Sequence, residues 1–309
     1  MADEPTHVVL ATGFLPNVQF APYYLAQDRG YYAAEGLDVS IQHGANASVL
    51  AQVGAGSIDF AVTGGDALVP ARVAGVPVTS VMAQFQKYPV GGMAIEGSGP
   101  LGSPADLRGR TIGVSGPNGS TYIALRALLQ AGGLTEDDVH VISIGFAELE
   151  ALTQKRIDVA MTFLTNEPVQ ARAMGLQVET LELSSYANLI STGLATADAN
   201  VQRRPDLVQR FVNASLRGLR DTLADPDAAF ASSLVRMPEI AGSDQERIQR
   251  EVLQATIGFE QPPAGHPLGW SDPAAWQATQ DLLKSTGLID TSVDPATLFT
   301  NSFAEQATP

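Results

Sequence analysis

The sequence predicts an α/β fold with two lobes, each a mixed β-sheet flanked by helices. Short β-rich runs alternate with helical segments through the first two thirds of the chain, an alternation typical of α/β proteins. A turn-forming stretch at residues 96–104 separates two such blocks, and the chain beyond about Ala195 becomes mostly helical. We therefore expect residues 1–93 and 197–309 to form one lobe and residues 94–196 to form the other.

Short apolar runs are the strand candidates of this fold. The first runs from His7 to Thr12, and a helical segment and a second strand follow it, which makes a βαβ unit. The further candidates are residues 37–42, 60–62, 76–81, 111–114, 139–142, 159–162 and 178–183. Loops at the carboxyl ends of strands in such units bind small molecules, so we expect the functional residues there.

The last third is predicted to be helical from its proline and capping patterns. Pro205 opens a helix whose apolar residues share one face, and Pro226 follows its end. Residues 243–246 have a capping-box pattern, and Pro273 opens a later helix that Gly287 closes as a left-handed cap. These helices are expected to complete the first lobe.

Two extended stretches rich in small residues are expected to carry the chain between the lobes. They lie around residues 92–96 and 189–196. Two crossings of this kind predict a hinge that lets one lobe move against the other.

The composition indicates a folded, acidic protein. The chain has 309 residues, of which 45% are hydrophobic, and chains of this size bury roughly 75% of their surface on folding. Its 33 acidic and 18 basic residues give a net charge of −15, which repels phosphate backbones and anionic lipid headgroups. Nucleic-acid binding is therefore not expected.

Several kinds of site are excluded by residue type. The chain contains no cysteine, so disulfides, thiolate metal sites and cysteine nucleophiles are absent. The histidines lack the spacing of metal ligands, and we expect neither a metal nor a cofactor. No apolar run approaches the roughly 18 residues that span a bilayer. The start Met1-Ala2-Asp3-Glu4 is typical of a chain from which a signal segment was removed.

The loop and helix after the first strand combine an amide with aromatic rings. Asn17 offers two donors and an acceptor, and Phe20, Tyr23 and Tyr24 offer flat apolar faces. This combination suits a planar heterocycle that carries carbonyl or ring-nitrogen groups. The alternative is a helix that packs into the core, with Asn17 as its cap.

A glycine turn follows the strand candidate at residues 60–62. Gly64 and Gly65 let the backbone approach a ligand closely, and Asp66 either caps the next helix or accepts a hydrogen bond from a ligand. The two roles of Asp66 are compatible, and capping is the simpler one.

The predicted second lobe repeats this pattern after residues 111–114. Backbone N–H groups and hydroxyls at a helix start hold carbonyls, hydroxyls or anions. The candidates here are Ser115, Asn118, Gly119, Ser120, Thr121 and Tyr122. The Gly-Lys-Ser/Thr ending of a nucleotide phosphate loop is missing, and an ordinary capped turn is the alternative.

The remaining candidates lie after residues 159–162 and near the crossings. Phe163 and Asn166 follow that strand, and Glu167 precedes a proline in the first helical turn. Tyr88 and Tyr186 complete the predicted binding residues.

Several segments resemble the solute-binding proteins of ABC importers. They are Leu15-Pro16-Asn17, Tyr24 with Ala26, residues 30–39, Asp59-Phe60-Ala61, Asp106-Leu107-Arg108-Gly109, Asn166-Glu167-Pro168 and residues 298–303. The branch that the chain resembles most handles thiamine-pyrimidine precursors and riboflavin, and it includes the fungal thiamine-pyrimidine synthases. The resemblance implies the two-lobed fold of type II periplasmic binding proteins, with two hinge crossings.

The resemblance also implies a function. We expect a receptor without catalytic activity that captures a planar vitamin or its precursor by hinge closure and presents it to an ABC permease in the membrane. Riboflavin is the first choice, because Phe20 stands where pyrimidine binders of the family carry histidine, and phenylalanine stacks on larger rings. The protein is expected to be monomeric and extracytoplasmic, either free in the periplasm or tethered to the membrane.

Three alternatives remain. The first is a binder of a thiamine-pyrimidine precursor. The second is a synthase-like enzyme, disfavoured because the chain lacks the cysteines and the motif histidine of the fungal synthases, and its first lysine is Lys87. The third is a binder of alkanesulfonate or nitrate, whose ligands need convergent cationic groups. Only Arg29 and Arg72 precede Lys87, and neither lies in a strand-end loop.

Overall fold

The computed structural model describes residues 4–44, 49–117 and 119–308. Its strands confirm the predicted α/β class. They are β1 (Thr6–Ala11), β2 (Leu37–Gln42), β3 (Phe60–Gly64), β4 (Val78–Ala83), β5 (Val90–Ile95), β6 (Thr111–Val114), β7 (His140–Ser143), β8 (Val159–Phe163), β9 (Val178–Glu182) and β10 (Thr192–Ala197).

Helices alternate with these strands and then dominate the last third. They are α1 (Ala21–Asp28), α2 (Tyr31–Ala34), α3 (Val49–Gly54), α4 (Gly65–Val73), α5 (Ser120–Ala131), α6 (Glu148–Thr153), α7 (Glu167–Ala173), α8 (Asp198–Arg203), α9 (Pro205–Ala224), α10 (Pro226–Val235), α11 (Asp244–Glu260), α12 (Pro273–Ser285) and α13 (Ser302–Glu305). The predicted starts at Pro205 and Pro273 are confirmed, and Gly287 has the left-handed φ of 72° expected after α12.

The chain divides into two compact units. Unit 1 consists of Met1–Gln86, Ile190–Gln277 and Thr291–Pro309, and unit 2 consists of Lys87–Leu189 and Ala278–Asp290. The lobe boundaries expected from the sequence, at 93/94 and 196/197, stay a prediction about which parts of the chain move together.

Unit 1 contains a five-stranded sheet in the order β2-β1-β3-β10-β4. Strands β1, β2 and β3 are parallel, and β10 is antiparallel to both of its neighbours. The long helix α9 buries its apolar face here, and its Phe211 stacks on Phe60 of β3 with ring centroids 4.0 Å apart. Gly218 lets α9 approach α1 closely, because a Cβ at this position would lie 2.1 Å from the carbonyl oxygen of Pro22.

Unit 2 contains a sheet of the same pattern, in the order β7-β6-β8-β5-β9. Strands β6, β7 and β8 are parallel, and β5 runs antiparallel between β8 and β9. The two sheets therefore correspond strand for strand. In each unit the carboxyl ends of three parallel strands meet at one edge, beside the start of the antiparallel strand.

Strands β5 and β10 cover most of the two stretches that the sequence indicated as crossings. Both stretches are extended, as expected, but each forms an interior strand of a sheet. Their glycines permit close backbone contact: a Cβ at Gly91 would lie 2.3 Å from the carbonyl oxygen of Leu181, and one at Gly193 would lie 2.4 Å from that of Met82. The small residues that suggested a hinge thus have a packing role inside the sheets.

Among the helices in the described ranges, none combines the length and apolarity that crossing a bilayer requires.

Candidate functional site

The candidate residues lie at the carboxyl edge of each sheet. The unit 1 edge comprises residues 12–20 after β1, His43 after β2 and residues 64–66 after β3. The unit 2 edge comprises residues 115–121 after β6, residues 144–148 after β7 and residues 163–167 after β8. Asn118 lies outside the described residues.

Asn17 caps a short 3₁₀ turn, Val18–Phe20, in the unit 1 edge. Its side-chain Oδ1 accepts a hydrogen bond of 3.0 Å from the backbone N–H of Gln19, and its extended backbone (φ −156°, ψ 153°) is typical of a cap. Within the described ranges, its amide nitrogen Nδ2 makes no hydrogen bond. The oxygen is therefore used locally, and the nitrogen is the group that Asn17 can offer to a ligand.

The predicted aromatic residues of unit 1 pack in its hydrophobic core. Phe20 is 3% exposed, and Tyr23 and Tyr24 are fully buried. The ring of Phe20 meets that of Tyr24 edge to face, with centroids 6.4 Å apart. These rings stabilise the unit 1 edge by packing in the core. A contact between any of them and a ligand stays a prediction.

His43 ties β2 to this core. Its Nδ1 lies 3.0 Å from Oγ1 of Thr12, and its Nε2 lies 3.4 Å from the hydroxyl of Tyr24. Burial lowers the pKa of His43 below its usual value, which favours the neutral ring. Phe14 and Leu15, in the loop between β1 and the 3₁₀ turn, are exposed, and they were not among the predicted binding residues.

The glycines at the start of α4 are required by packing. A Cβ at Gly65 would lie 1.7 Å from Cγ2 of Ile190, and a Cβ at Gly64 would lie 2.2 Å from Oδ1 of Asp66. The carboxylate of Asp66 therefore folds back over the first turn of α4, where the helix dipole favours negative charge. The cap residue of α4 is Gly64 and Asp66 stands within the first turn, so Asp66 is not the cap that the sequence suggested, and its ligand role stays a prediction.

The loop before α5 in unit 2 is held by side-chain hydroxyls. Oγ1 of Thr121 accepts a hydrogen bond of 2.9 Å from the N–H of Ser115 and lies 2.7 Å from Oγ of the same residue. Tyr88 is buried and donates a hydrogen bond of 3.4 Å to the carbonyl oxygen of Ser120. Gly119 precedes the helix with ordinary extended backbone.

Tyr122 points away from this loop into a small polar cluster. Its hydroxyl donates to a carboxylate oxygen of Glu136, and Arg126 donates to the same hydroxyl at 3.2 Å and to the same carboxylate at 2.5 Å. The Tyr122 hydroxyl is thus engaged within unit 2, and its predicted ligand contact stays untested.

The polar candidates after β8 are engaged with one another. Asn166 donates 2.7 Å to Oε1 of Glu167 and accepts 2.9 Å from Gln170, and Oγ1 of Thr162 donates 2.5 Å to Oε2 of Glu167. Glu148, at the start of α6, is buried, and burial together with the nearby Glu167 raises its pKa. This network fixes the edge and leaves few of its polar atoms for a ligand.

Exposed aromatic rings lie along the unit 2 edge. Phe163 is 38% exposed at the end of β8, and Phe146, in the loop after β7, is 88% exposed. Tyr186, beyond β9, is 43% exposed, and its hydroxyl donates 3.4 Å to the carbonyl oxygen of Gly102. Phe146 was not predicted, because a lone phenylalanine in a Gly-Phe-Ala loop carries no periodic signal. Flat exposed rings of this kind bind planar ligands by stacking.

No described group of three or more His, Cys, Asp or Glu side chains is arranged to hold a metal ion. The chemistry that the two edges offer is therefore hydrogen bonding by amide and hydroxyl groups, together with aromatic stacking.

Two corresponding mixed sheets flanked by helices, with loops gathered at their carboxyl edges, form the periplasmic-binding-protein fold. The periplasmic aliphatic sulphonate binding protein SsuA of Escherichia coli shares this fold with a TM-score of 0.74 and 18% identity, over 97% of this chain and 94% of that one.

The chain belongs to the NMT1/THI5-like family, whose model matches residues 17–229. It is 41% identical to the riboflavin-binding protein RibY of Chloroflexus aurantiacus, over 97% of this chain and 87% of that protein. It is 27% identical to the formylaminopyrimidine-binding protein of Halalkalibacterium halodurans, over 85% and 80% of the two chains. It is 26% identical to the 4-amino-5-hydroxymethyl-2-methylpyrimidine phosphate synthase of Schizosaccharomyces pombe, over 91% of this chain and 83% of that protein.

Proposed function

We propose that this protein is the solute-binding component of an ABC importer and that its ligand is riboflavin. The observation that carries the proposal is the 41% identity to a riboflavin-binding protein along nearly the whole of both chains. The match to the pyrimidine binder is lower, at 27%, which supports riboflavin ahead of a pyrimidine precursor.

The chemistry of the unit 2 edge supports a broad planar ligand. Phe146 and Phe163 present exposed rings, and stacking on a flat heterocycle contributes about 0.5–1.5 kcal/mol per ring pair beyond the burial of area. The sequence of both edges contains no lysine or arginine, so a sulfonate or nitrate ligand would lack a cationic partner there. An uncharged ring system edged with amide-like groups fits these residues better.

The absence of cysteine favours a binding protein over a synthase. The fungal synthases resembled by this chain use a cysteine-rich segment and a motif histidine, and here the corresponding residues are missing or are replaced by Phe20. Ligand capture without turnover is therefore the proposed activity. Delivery to a membrane permease, an extracytoplasmic location and a monomeric state are parts of the same proposal.

The identity of the ligand is tested by spectroscopy and native mass spectrometry of the purified protein. Riboflavin absorbs visible light, so a protein that carries it is yellow and shows the mass of one added riboflavin. Where the protein is purified without ligand, adding riboflavin should restore this mass. A protein that takes up an aminopyrimidine and refuses riboflavin would support the second candidate instead.

Proteins with this fold close by hinge motion around their ligands, so binding should also reduce the radius of gyration. Small-angle scattering with and without saturating riboflavin measures that change. Steady formation of a new product during incubation with riboflavin or a pyrimidine precursor would count against a receptor.

A further inference from the structure

A carboxylic acid, Glu260, is completely buried in unit 1 at the last residue of α11. Two features of its position disfavour the charged form. The side chain is removed from water, and it lies at the negative end of the macrodipole of a 17-residue helix. The end of α11 packs against the 3₁₀ turn of the unit 1 edge.

The amide of Gln84 joins this acid to the edge. Its Nε2 donates one hydrogen bond of 2.8 Å to Oε1 of Glu260 and another of 2.8 Å to the backbone carbonyl oxygen of Gln19. Gln19 belongs to the turn that Asn17 caps, so its N–H is held by Asn17 and its carbonyl by Gln84. One buried amide thus connects Glu260 to the loop of the candidate site.

Three buried oxygen atoms of this cluster have no hydrogen-bond partner among the described residues: Oε2 of Glu260, Oε1 of Gln84 and the hydroxyl oxygen of Tyr23. With Glu260 ionised, its Oε2 is a buried charged acceptor that no described donor meets. Protonation of Glu260 adds a donor and removes an uncompensated buried charge, so the neutral acid matches its surroundings.

We propose that Glu260 is a positioning residue for the ligand-binding edge of unit 1: as a neutral acid it holds Gln84 in place, and Gln84 holds the turn at residues 17–20. The inference rests on the proposed function, since it takes this turn as part of the ligand-binding surface. The ionised carboxylate accepts more strongly from Gln84, but its charge is buried away from water, so opening of the cluster, which hydrates the charge, becomes easier. The turn therefore loosens and ligand affinity falls as the acid loses its proton.

The neighbouring elements supply no counter-ion for this acid in the described structure. Glu260 raises the pKa of the buried Tyr23 of α1 electrostatically, and burial raises the pKa of Glu260 itself to about 8. Charged groups on the surrounding elements pair with other residues. Among them are Arg236, directly after α10, with Asp28 of α1, Arg250 of α11 with Asp227 and Glu246, Arg247 with Glu251, and Asp221 of α9 with Arg29.

Hydrogen–deuterium exchange of the ligand-free protein tests the link without riboflavin. The peptide that contains the amides of Gln19 and Phe20 is compared at pH 6 and pH 9 between the wild type and Glu260→Gln, whose amide imitates the neutral acid. Because the two proteins are compared at the same pH, their intrinsic rates of amide exchange are equal and do not affect the comparison. The two proteins should exchange alike at pH 6, and at pH 9 the wild type should exchange about tenfold faster, a factor equal to about 1.4 kcal/mol.

Two further variants keep the test decisive. Glu251→Gln removes an exposed acid of the same helix and should behave as the wild type at both pH values. Gln84→Met removes the linking donor and should leave the turn loose at both. Equal exchange in the wild type and Glu260→Gln at pH 9, or a Gln84→Met turn as protected as the wild type at pH 6, would overturn the proposal.

Riboflavin titrations at the same two pH values complete the experiment. The affinity of the wild type should fall about tenfold from pH 6 to pH 9, and that of Glu260→Gln should stay constant. A constant wild-type affinity would overturn the effect of Glu260 on binding. If riboflavin binds neither protein at either pH, the proposed ligand is wrong, and the exchange data still decide whether Glu260 positions the turn.

Discussion

In unit 1 the strand β3 ends at Gly64, whereas in unit 2 the corresponding strand β8 ends at Phe163. The equivalence follows from register: Gly64 pairs with Thr192, the first residue of β10, and Phe163 pairs with Val90, the first residue of β5. The same place in the same sheet pattern therefore carries no side chain in one unit and an exposed aromatic ring in the other.

The aromatic residues predicted to bind ligand differ in the same sense. Phe20 and Tyr24 of unit 1 are buried in its core, although Phe14 of the same edge is 43% exposed, and Phe146 and Phe163 of unit 2 are exposed. A shared topology thus supports two kinds of surface. In unit 1 most of the aromatic rings pack into the core beside fixed backbone and amide groups, and in unit 2 two phenylalanine rings are available for stacking.

The first prediction compares a buried acid from each unit, Glu260 and Glu148. Burial raises the pKa of Glu260 from 4.5 to about 8, so between these values the folded state keeps a proton that the unfolded state has lost. The free energy of unfolding should therefore fall as the pH rises from 4.5 to 8, and it should level off at higher pH. The total fall is at most about 5 kcal/mol, since one pKa unit corresponds to about 1.36 kcal/mol.

Denaturant unfolding of the wild type and Glu260→Gln across this pH range measures the fall in the free energy of unfolding, which should be absent in the variant. Glu148→Gln should also reduce the pH dependence of the free energy of unfolding, but by less than Glu260→Gln does, because Glu148 is less completely buried. Parallel profiles for the wild type and Glu260→Gln would show that the buried acid does not titrate as described.

A second prediction separates the core aromatic residues from the exposed ones. Phe20→Ala should destabilise the fold by about 3–5 kcal/mol, because it opens a cavity in the core of unit 1. Phe146→Ala should change stability by less than about 0.5 kcal/mol and weaken riboflavin binding by about 1–2 kcal/mol. Thermal unfolding and calorimetric titration distinguish these effects. Unaltered affinity in Phe146→Ala would show that the ring of Phe146 does not contact the ligand.

A third prediction concerns backbone crowding at the helix starts of the two edges. Gly65→Ala should cost about 1–3 kcal/mol of stability, because the new methyl group meets Ile190. Gly119→Ala should cost less than about 0.5 kcal/mol, since the nearest side-chain atom, Oγ of Ser115, is 3.3 Å from the new Cβ and the backbone is extended. Equal losses in urea unfolding would contradict the contrast between a packed and an open edge.

The smallest effect is expected for the cap of the 3₁₀ turn. Asn17→Asp keeps an oxygen for the N–H of Gln19 but removes the amide nitrogen, so stability should stay within about 0.5 kcal/mol of the wild type. Affinity should fall by about 1–3 kcal/mol if a buried ligand group loses its donor. Asn17→Ala should lose about 1 kcal/mol of stability in addition. Unchanged affinity in both variants would make Asn17 a cap and nothing more.

The sequence predicted the elements whose signals are local. Strands β2 and β6 occupy the residues expected for them: the edge strand β2 alternates apolar and polar residues, with Leu37 and Val39 buried, and β6 is a short apolar run that is largely buried. Residues 92–96 and 189–196 were predicted as crossings because they are extended and rich in small residues, and strands β5 and β10 cover most of these stretches. The sequence does not show that Gly91 and Gly193 each lie close to a neighbouring carbonyl oxygen, which only the assembled sheet shows.

The candidate loops were predicted from their turn-forming residues, but the sequence does not show which of their side chains are exposed to solvent. Tyr23 and Tyr24 are buried by helices far along the chain, α9 and α10, and nothing in their own segment distinguishes them from ligand-facing rings. Glu260 shows the converse: an acid at a helix end is usually solvated, and its burial depends on contacts with distant residues such as Gln84.

Isothermal titration calorimetry with riboflavin and with an aminopyrimidine precursor, run side by side on the same preparation, tests the central claim most directly. Riboflavin should bind at one site per chain, with a negative heat-capacity change from burial of its ring system, and the pyrimidine should bind far more weakly. Tight pyrimidine binding with no heat from riboflavin would contradict the account.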